Sequence, residues 1–590
     1  MPEAVVLEGL EAAVAARVLE ESRDRPGHHR FTHVLVRDAL YEGLGRSRRA
    51  ALHGGAGRVL EARVDAGEEA AAALARHLAA AGADEAADRV LHYAVLAGDH
   101  ARDLGAHHEA GDHYELALRA LADSPDVEER RCELLLALGE ARNEALERHR
   151  ARPAFLEAAR AALALGRPDL LVRAAHGYGY MTKAGETDGA AAALWREALA
   201  QAGTGAGSDR SVLLAASATA SMLAGAAGAD DLAAEALECA RRSDDERPLA
   251  MALATRSLVL WGADAVEERL ALATELLERG RARSRTGMAL DGLELRGVPL
   301  LELGRVAAFD DTIEELLRLG GEVGKRVSVA QATQWRALRA LMAGRFEEAE
   351  RLAAEVLDLS GDAPNFALGY AAQLYATRRA QGRAEELLGG FTAYVDEHPD
   401  VPAWRALLAV AHLEAGRPQE AAAEFERLAA SRFADVPRSW IRPVTLALAA
   451  ECAVLLVDRE RAADLEPLLA PRRGQLLVVA SGTSCEGAVD RQLGALAAPL
   501  GNHEAAEVHF TAALALELSV GGHALAVRTR LAHARALLRG PGRAGARAAA
   551  LLDAARTAAA ELGMAGAVAE ADALRAATSE RPPEGGAVRS

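Results

Sequence analysis

A recurring pattern of a small residue, a large residue four positions later and a small or aliphatic residue three positions after that constrains this chain most strongly. The spacing places all three side chains on one face of an α-helix, where the small residues allow a neighbouring helix to approach closely. The pattern therefore predicts helices that stack in pairs. It occurs at four places: Ala110, Tyr114 and Ala117; Ala191, Trp195 and Ala198; Ala421, Phe425 and Leu428; and Ala506, Phe510 and Ala513.

The turns between the predicted helices support the same architecture. Gly344, Gly416 and Gly501 each end one helical segment, and acidic residues follow in the first turn of the next, as helix termini favour. A chain of 590 residues is too long for one compact core, so helix pairs are expected to stack as a solenoid. The pattern resembles tetratricopeptide repeats. We predict an all-α, superhelical solenoid of degenerate tetratricopeptide-like helix pairs, with a simple helical bundle as the alternative.

One segment has the composition of a β-strand. Residues 475–480 read Gln-Leu-Leu-Val-Val-Ala, and a polar stretch, 481–487, follows and interrupts the helical pattern. A short apolar run of this kind is consistent with a buried strand, a helix turn or a loop. Since no second run of alternating β-branched residues is evident, we interpret it as a short buried helix turn or loop.

The composition excludes several classes of function. The net charge of −18 argues against non-specific nucleic-acid binding, which requires a basic surface. The four cysteines, Cys132, Cys239, Cys452 and Cys485, lie far apart and predict neither a disulfide framework nor a zinc site. The acidic N-terminus is unlike a signal peptide, and the longest apolar run, residues 444–457, is too short to span a bilayer and contains Glu451. We expect a soluble cytoplasmic protein that binds neither membranes nor, directly, nucleic acid.

A stretch near the N-terminus differs from the alanine-rich helices that follow it, and it contains Phe31, His33, Arg37, Tyr41, Arg49 and His53. This stretch resembles the segment that joins the ATPase core to the tetratricopeptide repeats in bacterial signalling regulators of the LuxR-family (MalT-like, actinobacterial) or cyclase-linked type. Residues 75–77 and 487–494 and the repeats at Ala110 and Ala506 fit the same family in order. The resemblance implies a repeat region that receives a signal and passes it to an ATPase core.

The chain departs from this family at two points. The nearest approach to a phosphate-binding loop, Gly321 to Lys325, has a short glycine spacing and is followed by Arg326 instead of Ser or Thr. No helix-turn-helix with a basic recognition helix follows the repeats. We therefore expect the repeat region of such a regulator without its ATPase core and its DNA-binding domain. Its predicted parts are a linker, the end of a winged-helix-like module (1–60), a repeat array (61–576) and a disordered tail (577–590).

Several residues suggest chemistry, but each has a simpler structural explanation. His29 and His33 would share one helix face, and His107, His108 and His113 are clustered, yet neither group has a complete set of metal ligands. Residues 177–180 read Gly-Tyr-Gly-Tyr, but no strand precedes them as a dinucleotide loop requires. Ser481, Ser484 and Cys485 lack a nucleophile motif and are interpreted as a surface loop. We predict no catalytic residue, no cofactor and no metal.

The sequence thus predicts a non-catalytic repeat protein that binds a protein or peptide partner, which could be an ATPase core in cis or in trans, or a small effector. It would be the sensor or interaction part of a transcriptional or signalling regulator. Three alternatives stay open: a truncated fragment of a larger ATP-dependent regulator, a free-standing assembly scaffold, and a signalling ATPase or cyclase whose catalytic part lies on a separate chain.

Overall fold

The computed structural model divides the chain into two compact units. Unit 1 contains residues 1–145 and 149–166, and unit 2 contains residues 146–148 and 167–590. The residues that the structure describes are 3–22, 27–62, 69–82, 87–121, 127–145, 147–178, 189–201, 207–243, 245–262, 264–361, 364–399, 401–540 and 545–579. Residues 580–590 of the predicted tail lie outside this set, and the last described helix ends at Ser579.

Unit 1 combines a two-stranded hairpin with eight described helices. The strands β1 (Leu19–Glu21) and β2 (His29–Phe31) pair antiparallel, with Leu19 opposite Phe31. The helices are α1 (Glu3–Ala15), α2 (Val34–Glu42), α3 (Arg46–Glu61), α4 (Glu69–Ala81), α5 (Ala87–Asp103), α6 (His107–Ala120), α7 (Glu128–Glu144) and α8 (Arg148–Leu165).

The described part of unit 2 contains twenty-one helices and one hairpin of strands β3 (Leu476–Val479) and β4 (Ser484–Ala488). The helices up to the middle of the unit are α9 (Pro168–Tyr178), α10 (Gly189–Gln201), α11 (Ser208–Leu223), α12 (Ala229–Arg241), α13 (Glu246–Val259), α14 (Val266–Ala282), α15 (Thr286–Glu302), α16 (Val306–Glu322), α17 (Arg326–Ala343), α18 (Phe346–Ser360) and α19 (Pro364–Ala380). The remaining helices are α20 (Leu388–Glu397), α21 (Pro402–Glu414), α22 (Pro418–Ala429), α23 (Arg442–Leu455), α24 (Arg459–Leu469), α25 (Val489–Ala497), α26 (His503–Ser519), α27 (His523–Arg539), α28 (Gly545–Glu561) and α29 (Ala565–Ser579).

The helices pack in consecutive pairs, for example α5 with α6, α14 with α15, α17 with α18 and α27 with α28. The predicted all-α class of tetratricopeptide-like helical-repeat solenoids is therefore confirmed. The twelve residues of the small–large–small pattern are all buried, with no more than 7% of any of them exposed. Gly344, Gly416 and Gly501 all adopt a positive φ at the helix ends where the sequence predicts a stop.

One packing device recurs in these pairs: the aromatic side chain of the second helix covers a glycine of the first. Tyr114 covers Gly98, and Phe510 covers Gly494, in each case sixteen positions before the aromatic residue. A Cβ atom on Gly98 would lie 2.7 Å from the Tyr114 ring, so any larger residue would push the two helices apart. At two of the four occurrences of the pattern, the large residue thus packs on a glycine of the preceding helix.

The interpretation of residues 475–480 as a helix turn or loop is wrong. Strands β3 and β4 pair antiparallel, with Leu476 opposite Ala488 and Val478 opposite Cys485, and both strands are buried. The β4 sequence, Ser-Cys-Glu-Gly-Ala, has little β-propensity, so a local sequence pattern does not predict that it pairs with β3. Burial by the surrounding helices stabilises the hairpin instead: Leu476, Val478, Cys485 and Ala488 belong to the hydrophobic core that also contains Trp261 and Trp335.

The tip of this hairpin is held by α17. The backbone carbonyl of Ser481 accepts hydrogen bonds from Trp335 Nε1 at 2.7 Å and from Gln331 Nε2 at 2.9 Å. Gln334 Nε2 donates to the Ser481 hydroxyl at 3.3 Å. These contacts join residues about 150 positions apart, which ordinary repeat stacking does not do.

Replacement of Gly482 is expected to loosen this attachment. Gly482 has a φ of +89°, and a Cβ atom there would lie 2.4 Å from Trp335 Nε1. Gly482→Ala should therefore lower the free energy of unfolding of unit 2 by about 2–4 kcal/mol, from backbone strain and steric overlap together. Gly501→Ala is the matched control because Gly501 has the same φ with open space around it. Thermal unfolding followed by circular dichroism measures both, and equal losses would show that the Trp335 contact contributes nothing.

Candidate functional site

The structure brings part of the linker motif together in unit 1. Tyr41 Oη hydrogen-bonds to His53 Nε2 at 2.9 Å, and His53 Nδ1 lies 2.8 Å from Nδ1 of His77. The Arg49 guanidinium stacks over the Tyr41 ring at 5.2 Å. Helices α2, α3 and α4 are thus joined by a Tyr–His–His chain. Of the other motif residues, His33 caps α2 by accepting the N–H of Leu35, whereas Phe31 and Arg37 are exposed.

The Tyr–His–His chain depends on one imidazole being neutral. A contact between two Nδ1 atoms needs one nitrogen to donate and the other to accept, and a doubly protonated pair has no acceptor. Burial, followed by the repulsion from His53 and Arg76, lowers the pKa of His77. The folded state therefore disfavours protonation of His77, and acid opposes the α3–α4 contact.

None of the nine residues of helix α2 is buried. Val34, Leu35, Leu40 and Tyr41 are all exposed, and Leu35 is 68% exposed. Ten of the sixteen exposed large hydrophobic side chains in the described part of the chain lie within residues 5–59. We call these ten residues the apolar surface: Val5, Val6, Leu7, Phe31, Val34, Leu35, Leu40, Tyr41, Leu52 and Val59.

The candidate metal ligands do not share the arrangement suggested by their spacing. His29 lies in strand β2 and His33 at the N-cap of α2, so the two do not lie on one helix face. His107, His108 and His113 do lie on one helix, α6. Among the described residues, no group of three or more His, Cys, Asp or Glu side chains is placed to hold a metal ion.

The other candidate residues lie in structural positions. Gly321 to Lys325 spans the end of α16 and the turn into α17, and Lys325 Nζ contacts Asp291 at 3.2 Å. Gly177 and Tyr178 end α9, whereas residues 179 and 180 lie outside the described residues. None of the described helices is both long and apolar enough to cross a bilayer.

The surface-loop interpretation of Ser484 and Cys485 is wrong, because both lie in the buried strand β4, whereas Ser481 is half-buried at the hairpin tip. Burial raises the pKa of the Cys485 thiol to about 12. A thiol that stays protonated at neutral pH is a weak nucleophile, so this cysteine has a packing role.

Unit 2 contains a cavity of about 1080 Å³. Side chains from α17, α19, α21, α23, β4, α25, α27 and α29 line it. Helix α27 contributes residues along one whole face, including Arg528, Leu531, Arg535 and Arg539. The volume is at the upper end of the range of small-molecule sites in proteins.

A network of charged side chains, which are between 8% and 29% exposed, forms one wall of the cavity. Arg379 of α19 donates to three carboxylates: Nε to Glu414, Nη1 to Glu486 and Nη2 to Glu451. Arg528 of α27 bridges two of the same groups, since it donates to Glu486 at 2.9 Å and to Glu451 at 3.5 Å. We call Arg379, Glu414, Glu451, Glu486 and Arg528 the Arg379 cluster.

The cluster shifts the pKa of its members in opposite directions. Burial alone would raise the pKa of Glu451, but Arg379 and Arg528 outweigh it and hold that pKa at about 2. In Glu414, which meets a single guanidinium, burial wins and the pKa is raised. Burial lowers the pKa of the neighbouring Arg491 to about 10, helped by repulsion from Arg528. The guanidiniums and carboxylates therefore stabilise each other's charges, which buried ions require.

Sequence reasoning missed this cluster, although two signals for it exist. Glu451 is the only charged residue within the longest apolar run, residues 444–457. In addition, Arg379, Glu414, Glu451 and Glu486 follow each other at intervals of 35, 37 and 35 positions. These intervals are close to one tetratricopeptide unit of about 34 residues, so successive repeats contribute one charged group each.

Comparison with known proteins adds no family. No protein-family model matches the chain, and no curated protein matches it. Among solved structures, it is similar to a chain of the APC/C hetero-tetramer Cut9-Hcn1, with 14% identity, a TM-score of 0.47 and coverage of 90% of this chain and 95% of that one. Yeast Tom70 gives 13% identity and a TM-score of 0.26, and the match covers 84% of this chain and 98% of that one. The structure of Naa15/Naa10 bound to HypK-THB gives 14% identity and a TM-score of 0.21, and the match covers 93% of this chain and 98% of that one.

Acidification should weaken unit 1 through His77. Because the pKa of His77 is lower in the folded chain than its ordinary value of 6.5, the stability it contributes is present above pH 6.5 and is lost as the pH falls below it. The protection factors of the α3 and α4 amides, in which hydrogen exchange is corrected for its slower intrinsic rate in acid, should fall from pH 7.5 to 5.5 in the wild type. His77→Gln should remove this dependence, whereas the exposed His92→Gln should keep it.

Removal of one carboxylate from the Arg379 cluster should change the acid stability of unit 2. The pKa of Glu451 lies below its unfolded value of 4.5, so its contribution is present above about pH 5 and is lost as the pH falls towards 2. Glu451→Gln should lower the free energy of unfolding by about 3 kcal/mol at pH 7. The difference from wild type should shrink at pH 3.

Glu267→Gln provides the control for this experiment because Glu267 belongs to an exposed ion pair with Arg305. Surface pairs contribute about 0–1 kcal/mol, so this variant should unfold like the wild type throughout. Thermal unfolding midpoints between pH 7 and 3 provide the measurement. A difference between Glu451→Gln and wild type that stays constant with pH would contradict the assignment.

Proposed function

We propose that this chain is a non-catalytic recognition component of a signalling regulator, and that its first sixty residues dock onto a partner protein. The observation that carries the proposal is the exposure of α2, a nine-residue helix with no buried residue. The resemblance of the linker motif to the junction after an ATPase core supports an ATPase core, in cis or in trans, as the partner.

The exposure of α2 has a physical consequence. An isolated helix of nine residues is marginal in water, and most helices in proteins are stabilised by burying an apolar face. Here Val34, Leu35, Leu40 and Tyr41 remain exposed, although each would contribute roughly 1.5–3 kcal/mol if fully buried. A partner that covers α2 would therefore stabilise both the helix and the complex.

The charges beside the apolar surface indicate the chemistry of this partner. Helix α3 carries Arg46, Arg48, Arg49 and Arg58, against one acidic residue, Glu61. Glu61 is already engaged by Arg89. A complementary partner would thus present an apolar patch with an acidic rim, since interfaces pair apolar cores with opposite charges around them.

A binding experiment with the ATPase core encoded nearest to this chain tests the proposal. We expect the full chain to bind that core in calorimetry, and we expect Leu35→Glu to weaken binding at least tenfold because a buried carboxylate would be left unpaired. Val508→Glu is the matched control: Val508 is 63% exposed, close to the value for Leu35, but lies on α26 in unit 2.

The possible outcomes separate the alternatives. If Leu35→Glu and Val508→Glu bind equally well, the apolar surface is not the docking site. If the chain alone sediments as a dimer that Leu35→Glu dissociates, the surface joins two copies of the chain and the regulator proposal fails in favour of a self-assembling scaffold. Circular dichroism of each variant verifies that the helices are retained.

A further inference from the structure

We propose that the cavity of unit 2 binds an organic anion with an aliphatic body, whose carboxylate or phosphate group lies against Arg535, Arg539 and His503. This site is independent of the docking surface in unit 1. It goes beyond the proposed function because it names a ligand class for unit 2.

The cavity lining includes two arginines near the C-terminal end of α27, and one of them, Arg539, has no carboxylate partner among the described residues. Arg535 and Arg539 lie one turn apart on α27, and both line the cavity together with His503. Arg535 pairs with Glu570, whereas Arg539 donates to the backbone carbonyl of Val454 at 2.8 Å. Among the described residues, no carboxylate lies within salt-bridge distance of Arg539. Glu570 balances the charge of Arg535, so Arg539 is the guanidinium of this pair whose positive charge is left to bind an anion.

The start of α26 adds to this positive end. His503 is its first residue, and the N-cap, Asn502, makes no side-chain hydrogen bond to the helix. The His503 ring packs beside Gly540, at the end of α27, since a Cβ atom on Gly540 would lie 3.4 Å from it. The free N–H groups at a helix N-terminus favour an anion, and Arg539 adds a positive charge near them, although the acidic Glu504 lies in the same first turn.

The Arg379 cluster does not compete for the anion. Both guanidiniums of the cluster are already bound to carboxylates, and Arg379 uses Nε, Nη1 and Nη2 for three different glutamates. Four carboxylates, those of the cluster and Glu517, face three guanidiniums, those of the cluster and Arg491, so this wall has no excess of positive charge. The two ends of the cavity therefore differ in charge, and an anion is directed to Arg539.

The walls between these ends favour an aliphatic ligand. Leu413, Val454, Leu455, Leu531 and Leu538 line the cavity, and the only aromatic rings among its described lining residues are those of Phe346 and His503. Planar bases and sugars are commonly recognised by stacking on aromatic side chains, which this lining does not supply. An alkyl chain needs only apolar area, which aliphatic walls provide.

Calorimetry of the full chain with octanoate, octyl phosphate and 1-octanol, each below its aggregation concentration, tests the site. We expect at least one of the two anions to bind with one-to-one stoichiometry, and 1-octanol to bind at least tenfold more weakly. Comparison of octanoate with octyl phosphate distinguishes a carboxylate head group from a phosphate.

Two arginine variants locate the head group. Arg539→Gln should weaken binding of the preferred anion at least tenfold. Arg530→Gln is the matched control, because Arg530 lies on the same helix but outside the cavity lining. Thermal unfolding of both variants verifies folding.

The proposal would be overturned if 1-octanol bound as tightly as the anions, if neither anion bound at millimolar concentration, or if Arg539→Gln and Arg530→Gln bound alike. Leu35→Glu should bind the anion like the wild type, so failure of this proposal and failure of the docking proposal are distinguishable.

Discussion

The hydrogen bonds that Trp335 and Gln331 donate to the Ser481 carbonyl hold much of unit 2 together. In a simple repeat stack each unit contacts only its neighbours. Here the hairpin enters the core between α15 and α17, and its second strand carries Glu486 to Arg379 and Arg528. The buried charges and the cavity wall therefore depend on where the hairpin tip is attached. We therefore expect a substitution at the hairpin tip to alter the cavity wall, although the tip itself contacts no residue that lines the cavity.

The helical architecture could be predicted from the sequence because it depends on the spacing of residues that are close together in the chain. The pattern at Ala110, Tyr114 and Ala117 requires only that three side chains share a face, and all of them are buried. The hairpin could not be predicted in this way, since β4 has a polar, glycine-containing sequence and gains its stability from helices distant in the chain. The Arg379 cluster shows the same limit. Four of its members look like ordinary polar positions on their own helices, and Glu486 lies in the strand β4 that the local pattern does not reveal.

The candidate sites contrast with the charge of the whole chain. The net charge is −18, yet α3 and the Arg539 end of the cavity are both locally positive. Salt at physiological concentration screens charges beyond about 8 Å, so distant acidic residues do little to repel an anionic ligand that has reached either site. The proposed recognition at both places would thus depend on short-range contacts with neighbouring guanidiniums and apolar side chains. The net negative charge of the rest of the chain favours solubility.

The attachment of the hairpin also has a consequence for how the chain acquires its structure during synthesis. Trp335 leaves the ribosome about 150 residues before Ser481, so its indole N–H has no native acceptor during that interval. Long-range closures of this kind are slow compared with pairing of adjacent helices. Helices α17 and α19 can form early, but the parts of them that contact β4 stay uncovered until the hairpin is synthesised. This interval is when the nascent chain is most exposed to aggregation and most dependent on chaperones.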